Sequence, residues 1–173
     1  MRRIGPVLLG FLLAIVLIVI GGYIFIVSGG VPMATSSAPL PLEETVAKMV
    51  LRANYKGSLD LKNPLPLNDE NLKGGANTYN GNCAMCHGAL DQRRPDLAKA
   101  MFPPAPQLLT SGEMVAHDPE GETFWKVTNG IRLSGMPAFG TILNDTRRWQ
   151  VTMLLAHADK LTPAARKQLL GPE

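Results

Sequence analysis

The sequence predicts an all-α domain with long irregular loops behind one N-terminal transmembrane helix. Three observations predict it. Residues Ile4 to Val27 are almost wholly apolar; helix start signals recur at Asn68, Asp118, Asn144 or Asp145, and Thr162; and nothing alternates apolar with polar for long enough to make a strand. At 173 residues there is room for one compact domain rather than two.

The apolar run comes first. About 24 residues at ~1.5 Å each give roughly 36 Å of helix, enough to cross a bilayer with slight tilt. Arg2 and Arg3 precede it. The positive-inside bias keeps them in the cytoplasm and puts the chain after Val27 on the periplasmic, outer side of a cell inner membrane, held by a single pass. A cleaved signal peptide is the competing reading. Its apolar core normally runs about 7–15 residues, and the one passable cleavage site, Ser36-Ser37-Ala38, lies far beyond the apolar run. The length favours an uncleaved anchor.

Ser28–Pro41 is rich in Ser, Gly and Pro and reads as a flexible stalk. Glu43–Asn54 has acids in its first turn and Val46, Met49, Val50 and Ala53 on one side, the pattern of a short amphipathic helix. Lys62–Leu67, with Pro64 and Pro66, is extended. A helix then starts at the N-cap Asn68, with Asp69 and Glu70 facing the positive end of its dipole, and runs to about Asn80 or Gly81. The next follows Asp118-Pro119, read as a capping carboxylate and a first-turn proline, and stops at Asn129-Gly130. A third carries Trp149, Met153, Leu154 and Leu155. Thr162-Pro163 opens a short last helix that Gly171-Pro172 closes. The divisions are residues 1–27 as cytoplasmic tip and anchor, 28–68 as stalk with its short helix, and 69–173 as the folded domain. Residues 88–117 hold four prolines, Pro95, Pro103, Pro104 and Pro106, and are expected to lack regular structure.

Composition narrows the function. Two cysteines exclude a disulfide framework, and a net charge of +3 gives no case for nucleic acid. Aromatics are few, so a large apolar cofactor would help to fill the core.

Cys83-Ala84-Met85-Cys86-His87 is C-x-x-C-H, the attachment pattern for c-type haem. Residues three apart on a helical turn share a face, so both sulfurs reach one macrocycle edge while His87 turns toward the iron. A thioredoxin-like dithiol would need a βαβ setting, and none is predicted. A structural zinc would need four ligands. There is no second cysteine pair, and His117 and His157 lack ligand spacing. One haem c, covalent through Cys83 and Cys86 with His87 on the metal, is the reading.

Met136 is the candidate for the second axial position. Pro137 biases it to an extended backbone, and Gly135 and Gly140 permit close approach to a flat cofactor. Met101 lies close to His87 in sequence, Met153 reads as core packing, and Met114 and His117, both in a loop, remain rivals.

In order and spacing the chain resembles the small single-haem, class I cytochromes c over about residues 69–160. The motifs that carry the resemblance are Gly75-x-x-x-Tyr79, Cys83 to Gly88, Pro106-Gln107-Leu108, Met136-Pro137 and a closing helix containing Trp149. The resemblance implies a cytochrome c-like fold, three main helices wrapped around one haem. It implies that Gly75 and Tyr79 form the crossing of first and last helices with Trp149 nearby, and that Pro106 lends its carbonyl to His87, with Pro103 and Pro104 as alternatives. Tyr79, Trp125 and Arg132 are candidates to meet the haem propionates, Arg132 being equally readable as solvated. Arg93-Arg94 and Arg147-Arg148 read as solvated faces, or as aids to docking a negatively charged redox partner.

A His/Met haem leaves no open iron position, and no catalytic constellation appears, so the expectation is an electron carrier and not an enzyme. Its partners would be the membrane and redox proteins such as a quinol-oxidising complex, a dehydrogenase or a terminal oxidase. The alternatives are a haem subunit held permanently in a larger membrane complex, and a five-coordinate haem enzyme or gas sensor.

Overall fold

The computed structural model describes residues 4–110 and 114–171. Among them are eight α-helices and no strand: α1 Ile4–Val27, α2 Glu43–Tyr55, α3 Asp69–Asn82, α4 Ala84–His87, α5 Asp96–Ala100, α6 Glu120–Asn129, α7 Asp145–Ala156 and α8 Pro163–Leu170. The chain divides into a unit of residues 1–44 and a unit of residues 45–173. Arg2, Arg3 and Pro172 lie outside the described residues.

In the first unit, α1 is long and apolar enough to cross a membrane, a property that anchors and signal sequences share, and none of its described residues is buried. It ends where Gly29 takes φ +80° and the Gly30 N–H returns to Phe25 O at 2.9 Å.

In the second unit, α3 and α7 cross at glycine. A Cβ on Gly75 would stand 2.3 Å from the backbone oxygen of Gln150 and 3.0 Å from Leu154 Cβ. That absence lets Leu72, Ala76 and Tyr79 of α3 interleave with Val151, Leu154 and Leu155 of α7 in one apolar core. Two of the main helices have the cap their sequence offers: for α3, Asn68 accepts from Asn71 N–H at 2.9 Å, and for α7, Asn144 from Arg147 N–H at 3.0 Å. Thr162 accepts from Ala165 N–H, and α8 then lies along α3, burying Ala165 and Leu169. The Asn80 amide donates to the Gln168 and Leu169 carbonyls, each at 3.1 Å, so α3 satisfies the end of α8.

Four sequence expectations are corrected here. Asp118 does not cap α6. Pro119 holds the N-cap position with an extended ψ of 133° and makes no side-chain cap; its carbonyl takes the first helical N–H groups, while the Asp118 carboxylate sits 3.7 Å from Lys126 Nζ. Residues 88–117 are not wholly irregular: they contain α5 and a 3₁₀ turn over Met114–His117. Arg148 is buried at 9% exposure, because its guanidinium donates to Thr128 Oγ1 at 2.8 Å, pairs with Asp145 and lies over the Phe124 ring. The stalk does not stay free to residue 68. Tyr55 packs 6.4 Å from Trp125, Ser58 O would lie 1.8 Å from a Cβ on Gly121, and Asn63 donates to Trp149 O at 3.1 Å.

Candidate haem-attachment site

α3 delivers the chain to the site. Cys83 is its C-cap, its N–H bonded to Tyr79 O at 2.8 Å, and the single turn of α4 follows at once. Within that turn Cys86 N–H and His87 N–H both reach Cys83 O, at 3.1 and 2.8 Å. The two thiols are therefore one turn apart, and both are free and half-buried. The turn ends at Gly88, whose φ of +81° suits glycine; a Cβ there would stand 3.1 Å from Gln107 Nε2.

His87 is held from the proline-rich loop. Its Nδ1 lies 2.8 Å from Pro106 O. A carbonyl can only accept, so Nδ1 carries the proton and Nε2 presents its lone pair. Burial holds the imidazole below its ordinary pKa against the opposing pull of that hydrogen bond, which keeps the ring neutral with its Nε2 lone pair open to a metal. Gln107 fixes the same loop a second time, donating to Gln92 O at 2.9 Å.

The Cys83 thiol is not poised for exchange. Burial, with the Cys86 charge adding, pushes the Cys83 thiol up to about 12, the behaviour of an inert sulfur and not of a nucleophilic thiolate. Among the described residues no three His, Cys, Asp or Glu gather as a metal-ion site. The donor set instead suits a covalently held haem: two thiols one turn apart, beside an imidazole whose tautomer is set.

Met136 is half-buried and packs on the apolar cluster that also takes Cys83, Ala84 and Leu108. Its loop closes on itself: Ile131 N–H bonds to Met136 O at 3.2 Å, and Ser134 Oγ accepts from Met136 N–H at 3.2 Å. Gly130, at φ +67°, has no room for a Cβ, which would lie 2.7 Å from Met136 O. Of the rivals, His117 is exposed, and the Met114 side chain lies outside the described residues.

The remaining candidates sit as follows. Tyr79 is fully buried, and its hydroxyl donates to Gly88 O at 2.7 Å, so its one donor is engaged by the backbone. Trp125 is half-buried against Tyr55, and Arg132 is exposed in the turn after Gly130. Trp149 is stacked on Phe124 of α6, ring centroids 3.8 Å apart at 11°, and it is Gln150 and Leu154 that meet Gly75. Two features carry no signal in the sequence pattern. Gln107 needs the loop's path to be known, and Arg148 reads as one more surface arginine until Phe124 and Thr128 are seen beside it.

Residues 70–153 match the family model described as cytochrome C oxidase, cbb3-type, subunit III. No curated protein and no solved structure matches the chain.

Proposed function

Residues 70–153 being a cytochrome c domain of the cbb3 oxidase subunit III family, we propose that the chain is a membrane-anchored single-haem electron carrier on the outer side of a cell inner membrane. The observation that carries the reading is the His87 Nδ1 bond to Pro106 O, 2.8 Å long, one residue after a pair of thiols one turn apart. Bound haem supplies an iron that takes up and returns one electron. Cys83 and Cys86 would hold it by thioethers, and His87 Nε2 and the Met136 thioether would ligate its iron. Pro106 orients the imidazole and raises its basicity; the closed turn from Gly130 to Met136 limits how far the thioether can move. A carrier needs ligands that move little between two oxidation states, and both ligand loops here are tied down by backbone hydrogen bonds. α1 would keep the domain near its redox partners and raise their effective concentration.

The matched family's description favours a second reading, a haem subunit fixed in a larger membrane oxidase complex. Absorbance spectra of the purified protein, oxidised and reduced, with and without carbon monoxide, test the carrier reading. A low-spin c-type spectrum that carbon monoxide leaves unchanged is expected. A shift on adding it would mean an open iron and would turn the reading to catalysis or gas sensing. Purification in mild detergent separates the two carrier readings, since subunits recovered in fixed ratio would favour the complex.

A further inference from the structure

α2 carries an apolar face that the folded domain does not use. At 3.6 residues per turn, Val46, Met49, Val50 and Ala53 fall within an arc of about 100°. Val46, Met49 and Val50 are 54%, 67% and 56% exposed. Leu51 and Tyr55 lie on the opposite side of the same helix and are half-buried, as is Glu43 at its N-terminal end. Tyr55 makes the helix's contact with α6, through Trp125 and through Lys126 Nζ, 5.4 Å from the ring centroid. α2 is thus held by one side, with its apolar stripe turned away from what holds it. Arg52 flanks the stripe, and Glu43 is drawn back to its own N-terminus, accepting from Leu40 N–H at 2.7 Å.

We propose that this stripe lies in the lipid headgroup region of the membrane, making α2 an interfacial helix. The inference rests on the reading of α1 as an anchor. Only residues 28–42 separate α1 from α2, a reach of at most ~3.3–3.6 Å per residue, so the tether keeps α2 within reach of the surface that α1 enters. A protein partner is less suited: four small or aliphatic side chains fall short of the roughly 1,000 Å² that a specific protein interface needs. A lipid surface requires no shape match, and the tether supplies the concentration that so small a stripe lacks. Arg52 has a long stem that can stay with the stripe while its charge reaches phosphate.

The test uses the full haem-loaded chain in phosphatidylcholine–phosphatidylglycerol vesicles. Nitroxides are placed singly through Val46→Cys, Met49→Cys, Val50→Cys, Arg52→Cys and, as a reference on the exposed side of α3, Lys73→Cys, with Cys83 and Cys86 already consumed by the haem. Relaxation by oxygen against a water-soluble nickel chelate reads depth. Labels at 46, 49 and 50 are expected to be oxygen-accessible and nickel-protected, and those at 52 and 73 the reverse. Equal nickel access at all five, in chains that resist alkaline carbonate extraction, would overturn the proposal while the anchor reading stands. If carbonate extracts the chain, the anchor reading fails. So small a stripe then has nothing to hold it at the membrane, and the proposal falls with the anchor. Nickel protection that arises only when a membrane extract is added would assign the stripe to a protein partner and equally overturn it.

Discussion

The methyl carbon of Met101 lies 1.9 Å from where a Cβ on Gly135 would stand, so the end of the proline-rich loop occupies the space that the Met136 loop leaves empty. The neighbour is the tip of a flexible side chain, and it can yield. Gly135→Ala is therefore expected to lose about 1–3 kcal/mol of stability by overpacking. Adding Met101→Ala should restore most of it, because the pair is coupled. Denaturant unfolding of both single variants and the double variant checks this, and simple additivity would mean that the contact does not matter.

Gly75 offers no such escape. Its missing Cβ faces the Gln150 carbonyl at 2.3 Å, which is backbone inside a helix. Gly75→Ala must push α3 off α7, and a loss of about 3 kcal/mol or more is expected, the upper end of overpacking costs. No truncation at position 150 should rescue it, because the obstacle is main chain. Rescue by Gln150→Ala would show that the crossing is looser than this geometry.

Met136→Ala removes the thioether proposed as the second protein ligand to the iron. The midpoint potential should fall, and the reduced protein should bind carbon monoxide. A potentiometric titration and a carbon monoxide difference spectrum report the two effects. An unchanged potential with no carbon monoxide binding would move the ligand elsewhere, to Met114 or His117 first.

Asp118 gives a pH dependence of definite sign. Burial holds its carboxyl above the ordinary range, with Lys126 pulling it down and Glu122 pushing it up. A carboxyl raised on folding contributes stability below its unfolded pKa of about 3.9 and loses that contribution as pH rises through the folded value. Asp118→Asn cannot ionise, so its melting temperature relative to the wild type should rise between about pH 3 and pH 7 and level off above. Melting curves across that range check it; a relative melting temperature that falls with pH would reverse the assignment.

What the sequence made legible follows from how local each signal is. Asn68, Asn144 and Thr162 each cap the helix that begins after them, because a cap needs a side chain and an N–H only a few residues away. The C-x-x-C-H turn is as local and reads as directly. Pro106 could not be separated from Pro103 and Pro104 by spacing, since which carbonyl meets His87 depends on the path of an aperiodic loop. α5 escaped because five residues behind Pro95 show too little period to register. Arg148 escaped for a different reason: a buried guanidinium is tolerated only where Thr128, Asp145 and Phe124 converge on it, and all but Asp145 are distant in sequence.

The brace formed by residues 55–63 bears on how this protein would be cut. Family resemblance begins at residue 70, yet Ser58 O covers Gly121, and Asn63 holds the Trp149 carbonyl. On the anchor reading, a protease acting within residues 28–42 would free the folded domain with its brace intact, whereas cleavage at 64–67 would strip the brace from the outer side of α6 and from the Trp149 carbonyl.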